Sequence, residues 1–462
     1  MNWVVRELAG ADLGDGRLDN RLIRIVTDLS ERPNATVPVS SGDWAQTKAA
    51  YRFWDNDKVT SQGILQAHVE QTVRRAGASA VVLVAQDTSE IDLTTHRKTS
   101  GLGYLASSKR RGLLVHSLLA MSPAGVPLGL LGQESWTRPL EQLGKAAQRH
   151  GRPIEEKESR RWLDGLAVVE RTLAAHPKVV VIADREADVF ELFAAPRSHN
   201  VELLVRVRHE RRAVDHPAGR LLPALKEAPV AGRLAVNVPR RDDRPARTAQ
   251  LTVRFARLTV LPPARLRGQH APQQVNFILA EEAEPPAGVA AVRWILATTL
   301  SIDSLEDAAQ AIGWYVLRWR IERFHYVLKS GCGMEKLELE TVARLQRALA
   351  TFSLVAWRLL WLTYAARENP DASCEIVWSA PHWQLLYCLV HKNASLPETT
   401  PTLQQTVRWV AQLGGFLGRR HDGQPGVKTL WRGMQRLHDV LDALPLLLPR
   451  LAEPTKQHAT YG

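Results

Sequence analysis

Two unbroken aliphatic runs constrain this chain most: SAVVLV at 79–84, which leads into Asp87, and VVVIA at 179–183, which leads into Asp184. Short apolar runs without polar alternation suit strands covered on both faces. Two further strands are predicted at 113–122 and 126–133, joined by the turn Pro123-Ala124-Gly125, with another at 202–208. Helical periodicity fills 155–176 and 188–195. The order strand, strand, strand, helix, strand, helix, strand implies an α/β layer architecture with helices covering a sheet. Asp87 is expected just beyond the end of its strand, and Asp184 at the end of its own. A strand-end aspartate is ordinarily a turn former or helix cap. Two of them can also meet at one sheet edge, where ligand sites form.

A third carboxylate lies far downstream. The stretch 314–329, WYVLRWRIERFHYVLK, reads as one helix that begins near residue 301. Tyr315, Arg318, Glu322 and Lys329 stand at offsets 0, 3, 7 and 14, which fall within roughly 60° of one another at about 100° per residue. Leu317, Ile321, Phe324, Val327 and Leu328 gather on the opposite side. One carboxylate among cations and a phenol suits grip on a metal beside phosphates. It equally suits a surface helix with an Arg318–Glu322 ion pair.

The remaining chain favours an acidic polymer as partner. Its 462 residues carry a net charge of +12. Residues 201–260 alone hold thirteen Lys/Arg against six Asp/Glu, a net of +7 and more than half of the total. Frequent prolines and alternating runs at 251–260 and 275–280 mark about 210–290 as a mostly β insertion. The cations of 201–260, among them Arg206, Arg208, Arg244 and Arg247, are expected to lie on DNA backbone. Trp294, in the strand predicted at 292–299, is core or an exposed stacking surface. Residues 1–70 read as short helices, with apolar stripes at 16–30 and with Lys48 and Arg52 on a helix at 44–56. Helices are also predicted at 343–367, 403–413 and 430–448.

Three oxygen-donor carboxylates are the minimum able to hold two divalent cations for in-line phosphoryl displacement. Hard oxygens suit Mg²⁺ or Mn²⁺. The cysteines Cys332, Cys374 and Cys388 have no CxxC spacing, and there is no HExxH, GxSxG or GxxxxGK. Zinc-site, serine-hydrolase and P-loop readings therefore lack support.

Asp87 in QDTS, Asp184 in ADREAD and the 314–329 stretch closely resemble the DDE transposases of bacterial insertion sequences, in the cut-and-paste branch with the Tyr-Arg-Glu-Lys signature. LGDGRLDNRL, AYRF, VHSLL, LGQESWTRP, RPAR and LGGF extend the likeness along nearly the whole chain. The chain departs from the pattern at Arg323, where a second acid is frequent, and at Tyr326, where a lysine is. The resemblance implies a ribonuclease-H-like core at 71–365 with the β insertion, between an end-recognition domain at 1–70 and a dimerisation domain at 366–462. It implies Asp87, Asp184 and Glu322 as the catalytic, metal-holding triad, with two Mg²⁺ (or Mn²⁺) per site. Tyr315, Arg318 and Lys329 would hold phosphates, Trp294 would stack on a flipped base, and His325 would be structural or a DNA contact. Partners would be terminal inverted repeats, target DNA and a second copy of the chain. The reaction would be nicking, hairpin formation and joining of 3′-hydroxyls to target.

Two alternatives remain at this stage: a ribonuclease-H-fold nuclease without strand transfer, and a non-catalytic end-binding inhibitor. Met1–Glu7 has no apolar signal core, and the apolar run 352–366 is broken by Arg358. A cytoplasmic, nucleoid-associated bacterial protein without a membrane role is expected.

Overall fold

The computed structural model describes residues 3–144, 152–238 and 246–451. It divides into two compact units: residues 69–92 with 102–322, and residues 1–68 with 93–101 and 323–462.

The first of these holds a ten-stranded mixed sheet. Its strands are β1 (Val82–Asp92), β2 (Gly103–Tyr104), β3 (Arg111–Met121), β4 (Pro127–Trp136), β5 (Val179–Ala183), β6 (Val201–Arg206), β7 (Val230–Val238), β8 (Arg247–Val260), β9 (Gln273–Glu282) and β10 (Arg293–Thr298). Their order is β2-β3-β1-β5-β6-β10-β9-β8-β7, and β4 also pairs with β3. β1, β5 and β6 run parallel, while the remaining pairs are antiparallel. This mixed α/β architecture is consistent with a ribonuclease-H-like core. The basic region expected to be β supplies β7–β9, which extend the same sheet from β10. Arg240, Arg241 and Arg244 of that region lie outside the described residues.

β5 is buried at all five positions, as its aliphatic run requires. The helix Arg160–Thr172 covers the parallel strands. Trp162, Leu166 and Val169 from this helix share one apolar cluster with Val82, Val84, Val179 and Val181. Leu258, Phe277 and Leu279 of the added strands belong to that cluster too. Gly165 permits the close approach of helix and strand, since a Cβ there would stand 2.3 Å from Gln86 Oε1.

Two expectations need correction. β1 does not stop before Asp87 but runs on to Asp92, because antiparallel pairing with β3 continues to Asp92↔Gly112 after parallel pairing with β5 has ended at Gln86↔Ala183. The 301–329 helix is also not one continuous α-helix. It starts with a capping box between Ser304 and Asp307 and runs as Leu305–Leu317. It tightens at Arg318, whose N–H donates to the Tyr315 carbonyl three residues back, and resumes as Trp319–Tyr326. A single wide turn, Val327–Gly331, follows with a five-residue bond from Cys332 N–H to the Val327 carbonyl.

The other unit is helical. Gly16–Glu31 buries Leu22, Ile25, Val26 and Leu29, most of the predicted stripe, and Asp15 caps its start. Val342–Glu368 is buried at every position from 348 to 357, the pattern of a helix enclosed on all sides. By length and apolarity it could span a membrane, but 83% of its most apolar window is buried inside the protein. Leu403–Leu413 and Val427–Leu451 pack closely: a Cβ on Gly433 would meet the Val410 carbonyl oxygen at 1.7 Å.

Candidate active site

The β1–β5 register fixes two carboxylates. Gln86 pairs with Ala183, so Asp87 and Asp184 each stand one residue beyond the last matched pair of neighbouring parallel strands, about 4.8 Å apart in the ladder direction. Side chains alternate along a strand. Gln86 and Thr88 serve the helix side, where both meet His116: Nε2 lies 3.1 Å from Gln86 Oε1, and Nδ1 lies 2.9 Å from Thr88 Oγ1. Asp87 therefore points to the opposite side. Asp184 starts a tight turn and accepts from the Glu186 N–H at 2.8 Å.

Glu322 completes the set from Trp319–Tyr326. Ile321 and Phe324 beside it are fully buried and anchor that helix. Arg318 Nη2 donates to Glu322 Oε1 at 2.6 Å. The guanidinium is buried and also lies 5.9 Å from the Tyr315 ring centre and 5.6 Å from that of Trp319. Its Nε is buried with no hydrogen-bond acceptor, a costly state for an ionised donor.

Electrostatics ties these groups together. Burial raises the Asp184 carboxyl above its ordinary range, and Asp87 adds to the rise against the pull of Arg318 and Arg161. Burial raises Glu322 likewise; Arg318 opposes it, and both aspartates reinforce it. Burial works against the charge of Arg318, but Tyr315, Asp87 and Glu322 outweigh it and hold its pKa above the usual value. Among the described residues, no three His, Cys, Asp or Glu side chains are gathered tightly enough to hold a metal in this arrangement. The donor set nevertheless fits a hard divalent cation: all oxygen, partly buried, and mutually repulsive until a positive charge arrives.

The other predicted residues divide. Trp294 on β10 is half-buried, with its ring 6.2 Å from that of Tyr315. The Arg206 and Arg318 guanidinium groups lie beside the buried Tyr315 hydroxyl, whose pKa burial raises. Arg206 also donates to the Arg293 carbonyl at 3.2 Å. Arg208 is exposed, and its backbone N–H donates to Asp188. Arg247 forms a two-pronged pair with Glu282, one bond at 2.8 Å, which commits its charge within the sheet. Lys329, half-buried in the wide turn, and His325, buried against Phe324 at 5.5 Å, belong to the helical unit.

Arg161 escaped sequence reasoning. It donates to Thr88 Oγ1 at 2.8 Å and to Glu186 Oε2 at 2.6 Å, tying together the segments that carry Asp87 and Asp184. Its guanidinium lies 5.1 Å from the Trp162 ring centre. Nothing in ESRRW separates it from the neighbouring Arg160, which pairs with exposed Asp164.

Three family models match the chain. Residues 1–59 match a model described as transposase DNA-binding, residues 155–358 a transposase DDE domain, and residues 354–444 a transposase Tn5 dimerisation domain. Asp184 and Glu322 fall within the second match, and Asp87 precedes it.

Proposed function

Because the chain belongs to the DDE transposases of insertion-sequence type, we propose that it excises an element by cut-and-paste chemistry at Asp87, Asp184 and Glu322 and joins the freed ends to target DNA. The observation that carries this reading is the matched-strand register of Asp87 and Asp184 together with their electrostatic coupling to Glu322. DDE transposases generally use divalent metal ions. The three carboxylates would hold Mg²⁺ or Mn²⁺, two per site, and bound cations there would acidify the attacking water and offset charge on the leaving oxygen. Glu322 would exchange Arg318 for that charge. Freed in this way, Arg318 would donate to the phosphate through its fork, including the Nε that lacks an acceptor.

The remaining steps use DNA's own groups. The 3′-hydroxyl released by the first nick attacks the opposite strand, so one phosphodiester forms as another breaks and a hairpin closes the end. Water reopens the hairpin, and the same hydroxyls then attack target DNA. Tyr315, Arg206 and Lys329 would hold phosphates, Trp294 would stack on a displaced base, and His325 would support the signature helix from within. Residues 1–70 would read the inverted repeats, 71–365 would form the catalytic core, and 366–462 would pair two copies in a synaptic complex. The matches to DNA-binding and dimerisation models support transposon-end DNA and a homodimer as partners.

The test is cleavage of a duplex carrying the element's inverted repeat. Asp184→Ala and Glu322→Ala should each lower cleavage at least a thousandfold while retaining end binding. Cleavage that survives either change would refute the assignment. A nuclease without strand transfer would cut but never join ends to a plasmid.

A further inference from the structure

We propose that a second stretch of DNA backbone is bound in a cationic cavity behind the carboxylates, an inference that rests on the transposase reading. The cavity measures about 740 Å³ and is walled by segments from 152–161, 188–190, 209–212 and 261–267. Its size exceeds what one phosphate needs.

The charges around it do not cancel. Asp188 is committed to Arg211 and Glu158 to Arg138 by bonds of 2.6 and 2.7 Å; Glu210, which accepts from the Leu222 N–H at 3.1 Å, and exposed Glu156 are the other lining carboxylates. Arg265 pairs with Glu191 at 2.8 Å. Arg152, Arg212 and Arg267 have no side-chain hydrogen-bond or ion-pair partner among the described residues. Arg212 and Arg267 are exposed, and the three come from separate segments. Unpaired guanidinium groups spread around a hollow, rather than converging on one point, suit an extended polyanion. Burial, and then Arg265, lowers the Lys157 ammonium.

Arg161 links the cavity to the segments that carry the two aspartates: it lines the cavity while bonding Thr88 and Glu186, the neighbours of Asp87 and Asp184. Thr88 faces away from Asp87, so a backbone held there lies on the helix side of the sheet, apart from the strand being cut. That backbone could be DNA flanking the element or target DNA.

Full-length Arg212→Ala/Arg267→Ala and Arg212→Lys/Arg267→Lys would be compared without divalent cations. One arm measures binding of an inverted-repeat duplex with and without 20 flanking base pairs. The other measures capture of an unrelated duplex by complexes formed on flush ends. The alanine variant should bind about tenfold more weakly in one arm, its salt slope should fall by roughly 2, and the lysine variant should recover. The affected arm identifies the source. Wild-type behaviour in both arms, or a lysine variant as weak as the alanine one, would overturn the proposal. An unaltered protein that binds no inverted-repeat duplex would sink the transposase reading, and this proposal with it.

Discussion

Arg318→Lys separates the two tasks assigned to this side chain. Lysine keeps a positive charge and can reach Glu322, so the like-charged carboxylates keep their counter-charge. It has no planar fork and no equivalent of Nε. The stability cost should be about 1 kcal/mol, from weaker contact with the Tyr315 and Trp319 rings. The loss in the transition state should be larger. One hydrogen bond to a charged phosphate is worth about 1.5–3 kcal/mol, or about ten- to a hundredfold in rate. Single-turnover cleavage of an inverted-repeat duplex at saturating protein measures the second quantity, and urea unfolding of the same preparations measures the first. A lysine variant that cleaves at the wild-type rate would refute the role given to Nε. A stability loss above 3 kcal/mol with a matching fall in active fraction would make Arg318 a structural residue only.

Cleavage should fall as pH drops through a carboxyl pKa above the ordinary range of about 4, because Asp184 and Glu322 are raised and must lose protons to hold a cation. The midpoint should move to lower pH at higher Mn²⁺, and a midpoint indifferent to Mn²⁺ would contradict this. Asp28→Asn should stabilise the protein at pH 8, by on the order of 2 kcal/mol. Burial pushes this carboxyl from 3.8 up to about 6, so its stabilising contribution is complete below 3.8 and lost as pH rises through 6; a gain of equal size at pH 4 in urea unfolding would be wrong for this cause. Gly433→Ala should cost about 3 kcal/mol, since its Cβ would meet the Val410 carbonyl oxygen at 1.7 Å. Urea unfolding within 0.5 kcal/mol of wild type would show that the two helices can part freely.

The sequence made the layer order readable because unbroken aliphatic runs have few other uses; the helix start expected near residue 301 falls at Leu305, where the capping box of Ser304 and Asp307 fixes it. Features set by a distant partner were not readable. The continuation of β1 through Asp87 depends on β3, and TSEID has no strand signature of its own. Arg247 looked free until Glu282, 35 residues away in sequence, became its cross-strand partner. The tightening at Arg318 and the wide turn at Val327–Gly331 begin at neither proline nor glycine, so periodicity passed through both. Arg161 was hidden because a buried arginine and a solvated one look identical in a row of letters.

These differences bear on how the site can change. Asp87 is fixed by a ladder of backbone hydrogen bonds, and Asp184 by the turn that it caps. Glu322 is anchored at its backbone by buried neighbours, but its carboxylate is held by one described bond, to Arg318. The cost of rearranging the aspartates would be several ladder bonds, whereas Glu322 needs only a new side-chain torsion and a replacement for one cation. A divalent cation held by the three carboxylates, as proposed, would supply that replacement and in the same exchange would release a buried guanidinium that already has one donor without an acceptor. Loading of the carboxylates and readiness of Arg318 for phosphate would then be two sides of one equilibrium, so metal should tighten phosphate binding and phosphate should tighten metal binding by the same factor.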